Sequence, residues 1–406
     1  MALRVVAALN TSSFRRTVAD SRRRLFFLCG ILGFAFWSAG AVAQAGNYSS
    51  AAAYIYGAQT SALDEVIAAY ERIEAAGGWP AVSADETLVP GGRSPLVRSL
   101  RQRLRLTGDF TGRMSADPFL FDRALLDALQ QFQLRHGLQP SGYIDRQTLY
   151  TLNQPVGEKL ALLRDARERW SALKPYAGDA RIWVNIPEAR VAALENNTLM
   201  LNMRAIVGQR SRQTPELSST IRRVVVNPNW TVPRSIATQD LLPKQQADPG
   251  YLSRNNIRVY STKNRGGGEI APTDINWSAL STNNFPYQLK QDPGPANSLG
   301  RLKFDFANSY DVFLHDTPGK SLLGLSYRSL SSGCVRLSEP EPLAAWMLGS
   351  AAQAKLLAAL GDNTYSTQSL EPKTAVAIEM VYLVAWVSEA NGTVQFRSDV
   401  YQKVSY

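Results

Sequence analysis

The chain of 406 residues holds only two cysteines and two histidines, and that scarcity excludes a good deal. His136 and His315 are far apart, and neither sits among the further His, Cys or clustered carboxylates that a zinc site requires. Cys29 falls in an N-terminal apolar run, so Cys334 is the sole thiol of everything after it, and no internal disulfide can form there. A strong charge bias is missing too. The formal charge is +10, but residues 1–43 contain six arginines (4, 15, 16, 22, 23, 24) against Asp20, a net +5, which leaves +5 (10 − 5) for the rest. That modest surplus suits an anionic polymer or a membrane surface and does not demand nucleic acid. Low apolar content, the mark of a disordered chain, is absent at 45% hydrophobic and 19% charged residues, and the length suggests two or three globular domains.

Long uncharged apolar runs are also scarce. The run from Leu25 to Ala43 follows Arg22-Arg23-Arg24 and ends in Ala41-Val42-Ala43, the layout of an export signal with a cleavage triplet. Ser21 to Phe26 also approximates a twin-arginine signal, and a run of this length can stay as an uncleaved membrane anchor. Residues 1–43 are therefore expected to be a signal peptide or signal anchor, and the protein to be exported.

The remainder divides by periodicity. Residues 44–93 are expected as a helical scaffold, with Leu63, Val66, Ile67, Tyr70 and Ile73 in register and Gly77-Gly78-Trp79-Pro80 as its stop. In residues 94–153, Leu96, Val97, Leu100 and Leu104 line one helix face, Ala124, Leu125, Ala128, Leu129 and Phe132 a second, and a third short helix follows Asp145. His136 reads as structural. Residues 154–180 return to helix through Leu160, Leu163, Ala166 and Trp170. From residue 181 the pattern turns to strands: Ile182/Val184/Ile186, Val191–Leu194, Leu199–Gly208, Ile221–Val226 and Ile257–Tyr260. About 230–292 is an insert broken by Pro and Gly yet carrying Trp230, Tyr251, Trp277, Phe285 and Tyr287, which is expected as a lid or substrate wall.

The chemistry concentrates between Tyr310 and Leu337. A cysteine attacks as thiolate, and a free pKa of about 8.5 leaves little thiolate at neutral pH, so Cys334 needs a base. His315 is the one candidate, at the end of the apolar strand Val312–Leu314. Ser331-Ser332-Gly333 makes a turn that presents the thiol, and the amides of Gly333 and Cys334 are candidate oxyanion donors. Asp316 should point to the opposite face from His315 and is not assigned a catalytic role. Arg336 shares the face of Cys334, either binding a substrate carboxylate or holding the turn. Tyr310 and Asn297 are candidates for lining the cleft, with ordinary packing as the other reading.

Two resemblances follow from these motifs. Phe132-Gln133, His136-Gly137-Leu138, Gly142-Tyr143-Ile144-Asp145 and Leu152-Asn153 resemble the peptidoglycan-binding module of cell-wall hydrolases. The blocks Asp292 to Phe304, Tyr310 to Pro318 and Ser331 to Leu337 closely resemble the L,D-transpeptidase catalytic domain (YkuD-type), and the closing stretch from Tyr382 to Tyr401 resembles its large Gram-negative, YcbB-like subgroup. The resemblance implies a multidomain α+β protein: a β-rich YkuD-like catalytic domain over 181–406, and a small three-helix peptidoglycan-binding domain inserted in a helical scaffold. It implies 3→3 cross-linking of peptidoglycan stem peptides through a thioester on Cys334, with His315 as proton donor and acceptor and Gly333 at the oxyanion. An L,D-carboxypeptidase, a lipoprotein-to-peptidoglycan transferase on the same site, or a non-catalytic wall-binding scaffold are the alternatives. No metal or cofactor is implied. The implied partners are stem peptides, with membrane anchoring and other cell-wall synthesis proteins as further candidates, and the implied location is the periplasm, with inner-membrane anchoring as a variant. Many relatives carry a histidine where Ser332 stands; the departure removes one possible helper and leaves His315 as the sole imidazole of the site, and Ser332 joins Arg336, Tyr310 and Asn297 as a candidate substrate contact. The resemblance also implies a backbone carbonyl as the group orienting His315.

Overall fold

The computed structural model describes residues 56–83, 88–112, 116–174, 178–262, 268–388 and 391–406. The expected export segment lies outside them. Five helices come first: α1 (Tyr56–Ala75), α2 (Leu96–Leu106), α3 (Arg123–Arg135), α4 (Arg146–Asn153) and α5 (Val156–Ala172). α3 and α4 begin where Asp122 and Asp145 accept hydrogen bonds from the amides of Leu125 and Thr148, so each short helix has its first-turn donors satisfied. α2 to α4 enclose one core, with Leu100, Leu104, Leu125, Leu129, Phe132 and Leu152 buried. α1 and α5 pack on each other and on the β-rich region, through Leu63, Tyr70, Leu163 and Trp170.

The β-rich region is a ten-stranded sheet. Its strands are β1 (Ala180–Asn185), β2 (Arg190–Glu195), β3 (Thr198–Gly208), β4 (Leu217–Val226), β9 (Leu302–Phe306), β10 (Leu314–His315), β11 (Ser329–Ser331), β12 (Val335–Leu337), β13 (Gln368–Leu370) and β14 (Val376–Val381). The order β11-β3-β12-β10-β9-β4-β14-β1-β2, with β2 also paired to β3, closes the sheet on itself. β3 makes this possible because it is long: its first part pairs with β2 and its last residues with β12 and β11. The core is made by alternate residues, among them Leu302, Phe304, Leu314, Val335 and Leu337. Helix α6 (Pro340–Gly361), interrupted at Gly349 with φ +68°, covers it. By length and composition α6 could cross a membrane; one face of it, Leu343, Ala344, Met347, Leu356 and Ala359, is buried in the same core.

The insert departs from expectation. It forms a second small sheet of β5 (Trp230–Thr231), β6 (Ile257–Ser261, the one strand expected there), β7 (Glu269–Ile270) and β8 (Tyr287–Gln291), in the order β5-β8-β6-β7. A helical run, Arg234–Ile236, a π-helical turn Ala237–Leu241 and Leu242–Ala247, packs on that sheet. Trp277 and Phe285, expected to face a substrate, are buried with Leu241, Leu252, Val259 and Leu289 in a core of its own. The frequent Pro and Gly mark the ends of short elements. A terminal hairpin, β15 (Ala385–Val387) and β16 (Val394–Phe396), contacts α1, α3 and α5.

Candidate active site

Strand register brings His315 and Cys334 together. β10 runs parallel to β12 with Leu314 opposite Val335 and His315 opposite Arg336. Leu314 and Val335 are fully buried in the core. Side chains alternate between faces, so Phe313, His315, Cys334 and Arg336 share the other face. Two contacts agree: the Phe313 and His315 rings are 5.6 Å apart, and the amide of Val335 donates to the Phe313 carbonyl at 3.1 Å. Cys334 and His315 are thus diagonal neighbours across the β10–β12 pairing.

The imidazole is buried and its Nδ1 lies 2.5 Å from the carbonyl oxygen of Asp316. A carbonyl only accepts, so Nδ1 carries the proton and Nε2 keeps its lone pair. The Asp316 carboxylate does something else: it accepts from the Arg301 amide at 2.8 Å and pairs with Lys320 at 2.5 Å. Burial, reinforced by the Arg336 guanidinium, pulls His315 down to about 3, against the backbone carbonyls of Asp316 and Leu299. Burial likewise pushes the Cys334 thiol up to about 11, opposed by a backbone hydrogen bond from Phe313 and by the charges of Lys303 and Arg336. The resting pair is a neutral thiol beside a neutral imidazole.

The turn carrying the thiol is stapled from several sides. Gly333 has φ +118°, a conformation that favours glycine. Ser331 Oγ donates to the Cys334 carbonyl at 2.6 Å and accepts from the Gly333 amide at 3.2 Å. The Gly333 amide is therefore engaged inside the turn, which corrects its expected place as an open oxyanion donor. Thr214, fully buried, donates through Oγ1 to the Gly333 carbonyl at 2.7 Å, accepts from the Gly208 amide at 2.8 Å, and has its own amide bound to the Tyr401 hydroxyl at 3.0 Å. That hydroxyl donates in turn to the Gly208 carbonyl at 2.7 Å. A Cβ on Gly208 would fall 2.2 Å from the Arg212 carbonyl oxygen, so only glycine lets this loop close on the turn.

Comparison with known proteins identifies two domains of the chain. Residues 179–377 match the profile of the L,D-transpeptidase catalytic domain (YkuD), and residues 93–152 match that described as "Putative peptidoglycan binding domain". The chain carries an L,D-transpeptidase catalytic domain. A Haemophilus influenzae protein named "Putative L,D-transpeptidase" is 35% identical over 220 residues, 54% of this chain and 44% of that one, so the match spans less than half of the relative. Among solved structures, an L,D-transpeptidase from Stackebrandtia nassauensis is 13% identical, covering 74% of this chain and 96% of that one with a TM-score of 0.26. L,D-transpeptidase 3 from Mycobacterium tuberculosis, in complex with a faropenem-derived adduct, is 10% identical, covering 50% and 60% with a TM-score of 0.23.

Within this L,D-transpeptidase domain the remaining candidates separate. Arg336 is half-buried opposite His315, and its guanidinium pKa is lowered by burial. Tyr310 is 59% exposed on the loop before β10, which speaks against the packing reading. Asn297 is a correction. It is 1% exposed, its amide donates to the carbonyls of Pro228 at 3.0 Å and Asp292 at 2.8 Å, and its oxygen accepts from the Leu299 amide at 2.8 Å. Its polar atoms are spent joining the two ends of the insert, which removes it from the substrate contacts. Ser332 is exposed, and Arg212 Nη1 donates to its hydroxyl at 2.9 Å. The same guanidinium grips Asp240 in the π-helical turn of the insert, at 2.5 and 2.9 Å. Arg212, Thr214 and Tyr401 were not legible as site residues, because only the folded chain brings residues 208–214 and 401 against the thiol turn. Gly208 closing a strand was the one available signal.

Proposed function

We propose that this protein is a peptidoglycan L,D-transpeptidase that forms 3→3 cross-links through a thioester on Cys334. The observation that carries the reading is a partly buried thiol sharing one sheet face with a buried imidazole whose Nδ1 is held by a carbonyl. In the first half-reaction, His315 Nε2 takes the thiol proton as sulfur attacks the carbonyl of the third stem residue. The C–N bond breaks, and the proton passes to the departing amine of the terminal D-alanine. In the second, the amine of a neighbouring stem attacks the thioester carbonyl, a C–N bond forms, and the thiolate leaves and is reprotonated through His315. The Cys334 amide serves the tetrahedral oxyanion, and the Gly333 amide joins it only by releasing Ser331 Oγ. The peptidoglycan-binding domain supports wall polymer as substrate. The apolar run after Arg22-Arg23-Arg24 supports export to the periplasm, with cleavage or anchoring both compatible. Water in place of the amine makes the same site an L,D-carboxypeptidase.

Exposure to a carbapenem, whose strained amide is open to a thiol, followed by mass spectrometry of the intact protein should find one adduct, on Cys334, absent from Cys334→Ala. Sacculus fragments incubated with both proteins should yield cross-linked dimer and free D-alanine with the wild type only. Neither product from a folded wild type would sink the proposal.

A further inference from the structure

The carbonyl that orients His315 needs an anchor of its own. β10 ends at His315, and beyond it the Asp316 amide still donates to the Leu302 carbonyl of β9 at 2.8 Å. The Asp316 carbonyl turns instead to Nδ1 of the preceding residue's ring. A peptide plane at a strand end can swing unless something else holds it, and a carbonyl that swings away no longer selects the tautomer.

The Asp316 side chain supplies the hold. The residue is 8% exposed, and both oxygens of its carboxylate are engaged. Oδ2 accepts from the Arg301 amide at 2.8 Å, on the segment leading into β9. Oδ1 accepts from Lys320 Nζ at 2.5 Å, and the same ammonium reaches the Leu337 carbonyl at 3.5 Å, at the end of the strand that follows Cys334. One carboxylate thus ties the end of the histidine strand to the approach to β9 and, through Lys320, to β12. The fit is close: Gly300 has φ +63°, and a Cβ there would collide with the Asp316 carboxylate. Arg301 is fixed in turn, its guanidinium donating to Asn227 Oδ1 at 2.5 Å and to the Leu360 carbonyl at 2.8 Å. Leu299, on the same segment, acts on the ring as well. Burial and the Arg336 charge lower the His315 pKa, and the Asp316 carbonyl, the Asp316 charge and the Leu299 carbonyl oppose them.

Resting on the transpeptidase reading, we propose that the Asp316 carboxylate is a positioning residue for His315: by gripping the Arg301 amide and Lys320 it fixes the Asp316 carbonyl on Nδ1, which leaves Nε2 as the nitrogen that takes the thiol proton. The carboxylate acts only through the ring. Without the grip the imidazole carries its proton on either nitrogen, and molecules with Nε2–H have no lone pair there for the thiol proton.

The test uses the full chain without a histidine tag, isotope-labelled at the histidine nitrogens. The chain has only two imidazoles, so one proton–nitrogen correlation spectrum reads the tautomer of each. Wild type should show His315 protonated at Nδ1 alone, and His136, whose Nδ1 lies on the Phe132 carbonyl, serves as the internal control. Asp316→Ala and Gly300→Ala break the grip from opposite sides, and each should turn His315 into a mixture of tautomers while His136 stays as it was. Both should lower the rate constant for carbapenem acylation of Cys334 by about tenfold, a fraction of the roughly 10²–10⁴-fold that a positioned base contributes, with the half-saturating concentration unchanged. Asp316→Asn keeps an oxygen for the Arg301 amide and should recover the single tautomer and most of the rate. Lys320→Met, at a side chain 49% exposed, loosens the other arm without uncovering a buried group and should give a smaller loss. A melting curve verifies each fold. A single Nδ1–H tautomer persisting in folded Asp316→Ala, or an unchanged rate constant there, overturns the positioning role. No adduct on folded wild type overturns the transpeptidase reading instead, and the tautomer comparison still decides the grip.

Discussion

The two histidines occupy environments that agree in nearly everything except their neighbours. His136 and His315 are both buried, both place Nδ1 on a backbone carbonyl (Phe132 at 2.8 Å, Asp316 at 2.5 Å), and both are held below the ordinary histidine range by burial. His136, however, stacks between Phe132 and Phe396, at 4.1 and 5.3 Å, where α3 meets the terminal hairpin. Arg135, Lys159 and Arg103 surround it, and their charges lower it further. His315 meets a ring edge-on and shares its sheet face with a partly buried thiol. Burial, a depressed pKa and a carbonyl anchor therefore do not mark a catalytic imidazole. In the proposed mechanism, a nucleophile on the same face does.

The sharpest way to break that comparison is to replace each ring in turn. His315→Gln should cut carbapenem acylation of Cys334 by about 10²–10⁴-fold, the usual worth of a positioned base, with little change in melting temperature. His136→Gln should do the reverse. The stacked ring is lost at a joint where Arg135 also pairs with Asp109 at 2.5 Å, so stability should fall by about 1–3 kcal/mol while the acylation rate per folded molecule holds. Equal loss of acylation in both variants would erase the distinction.

Acid should strike both sites alike. An unfolded histidine takes a proton near 6.5, whereas folded His315 does so only at about 3 and His136 also well below its ordinary value. Between those limits the unfolded chain holds more protons, so stability falls as pH drops through that window, by up to about 1.4 kcal/mol per unit for each histidine. Urea unfolding at pH 7, 5.5 and 4.5 should show each His→Gln variant with a shallower decline than wild type. Acylation itself should stay flat over the same range, since the resting pair changes charge only near 3 and 11.

How much of this was readable beforehand depends on whether the signal was local. Cys334 and His315 stood out through rarity and through their place beside an apolar strand. The strand periodicity of residues 182–226 and the three helix faces of residues 94–153 needed nothing beyond side-chain spacing. Asn297 stayed open between cleft and packing because a polar residue in a Pro/Gly-rich approach looks alike whether it faces a substrate or closes a subdomain; its bonds to Pro228 and Asp292 span a long insert. Trp277 and Phe285 were misread for the same reason, since no single stretch reveals that the insert has enough apolar residues to bury its own aromatics. The turn network through Thr214 and Tyr401 joins segments nearly two hundred residues apart, and no local pattern carries it.

That network gives a mid-sized prediction. Thr214→Val keeps the shape and removes the hydroxyl that holds the Gly333 carbonyl and the Gly208 amide, leaving two buried groups unsatisfied. Acylation should drop about tenfold through kcat rather than KM, because the thiol's placement is loosened and no binding group is lost. Unchanged kcat with a lowered melting temperature would make Thr214 a matter of stability alone.

The smallest expected effect concerns Arg212, the only side chain described as touching both the thiol turn and the insert. Its pair with Asp240 is two-pronged but partly exposed, so its stabilising value is about 1 kcal/mol or less. Asp240→Asn should leave the fold intact and shift acylation only a few-fold, while Arg212→Ala, which also releases Ser332, should cost more. Exchanging the charges, Arg212→Asp with Asp240→Arg, restores the ion pair but not the hydrogen bond to Ser332. Activity recovered by the exchange would mean that holding the insert in place is what matters. Activity that stays low would mean that the bond to Ser332 matters, and that the insert, with its own core, keeps its position without the pair.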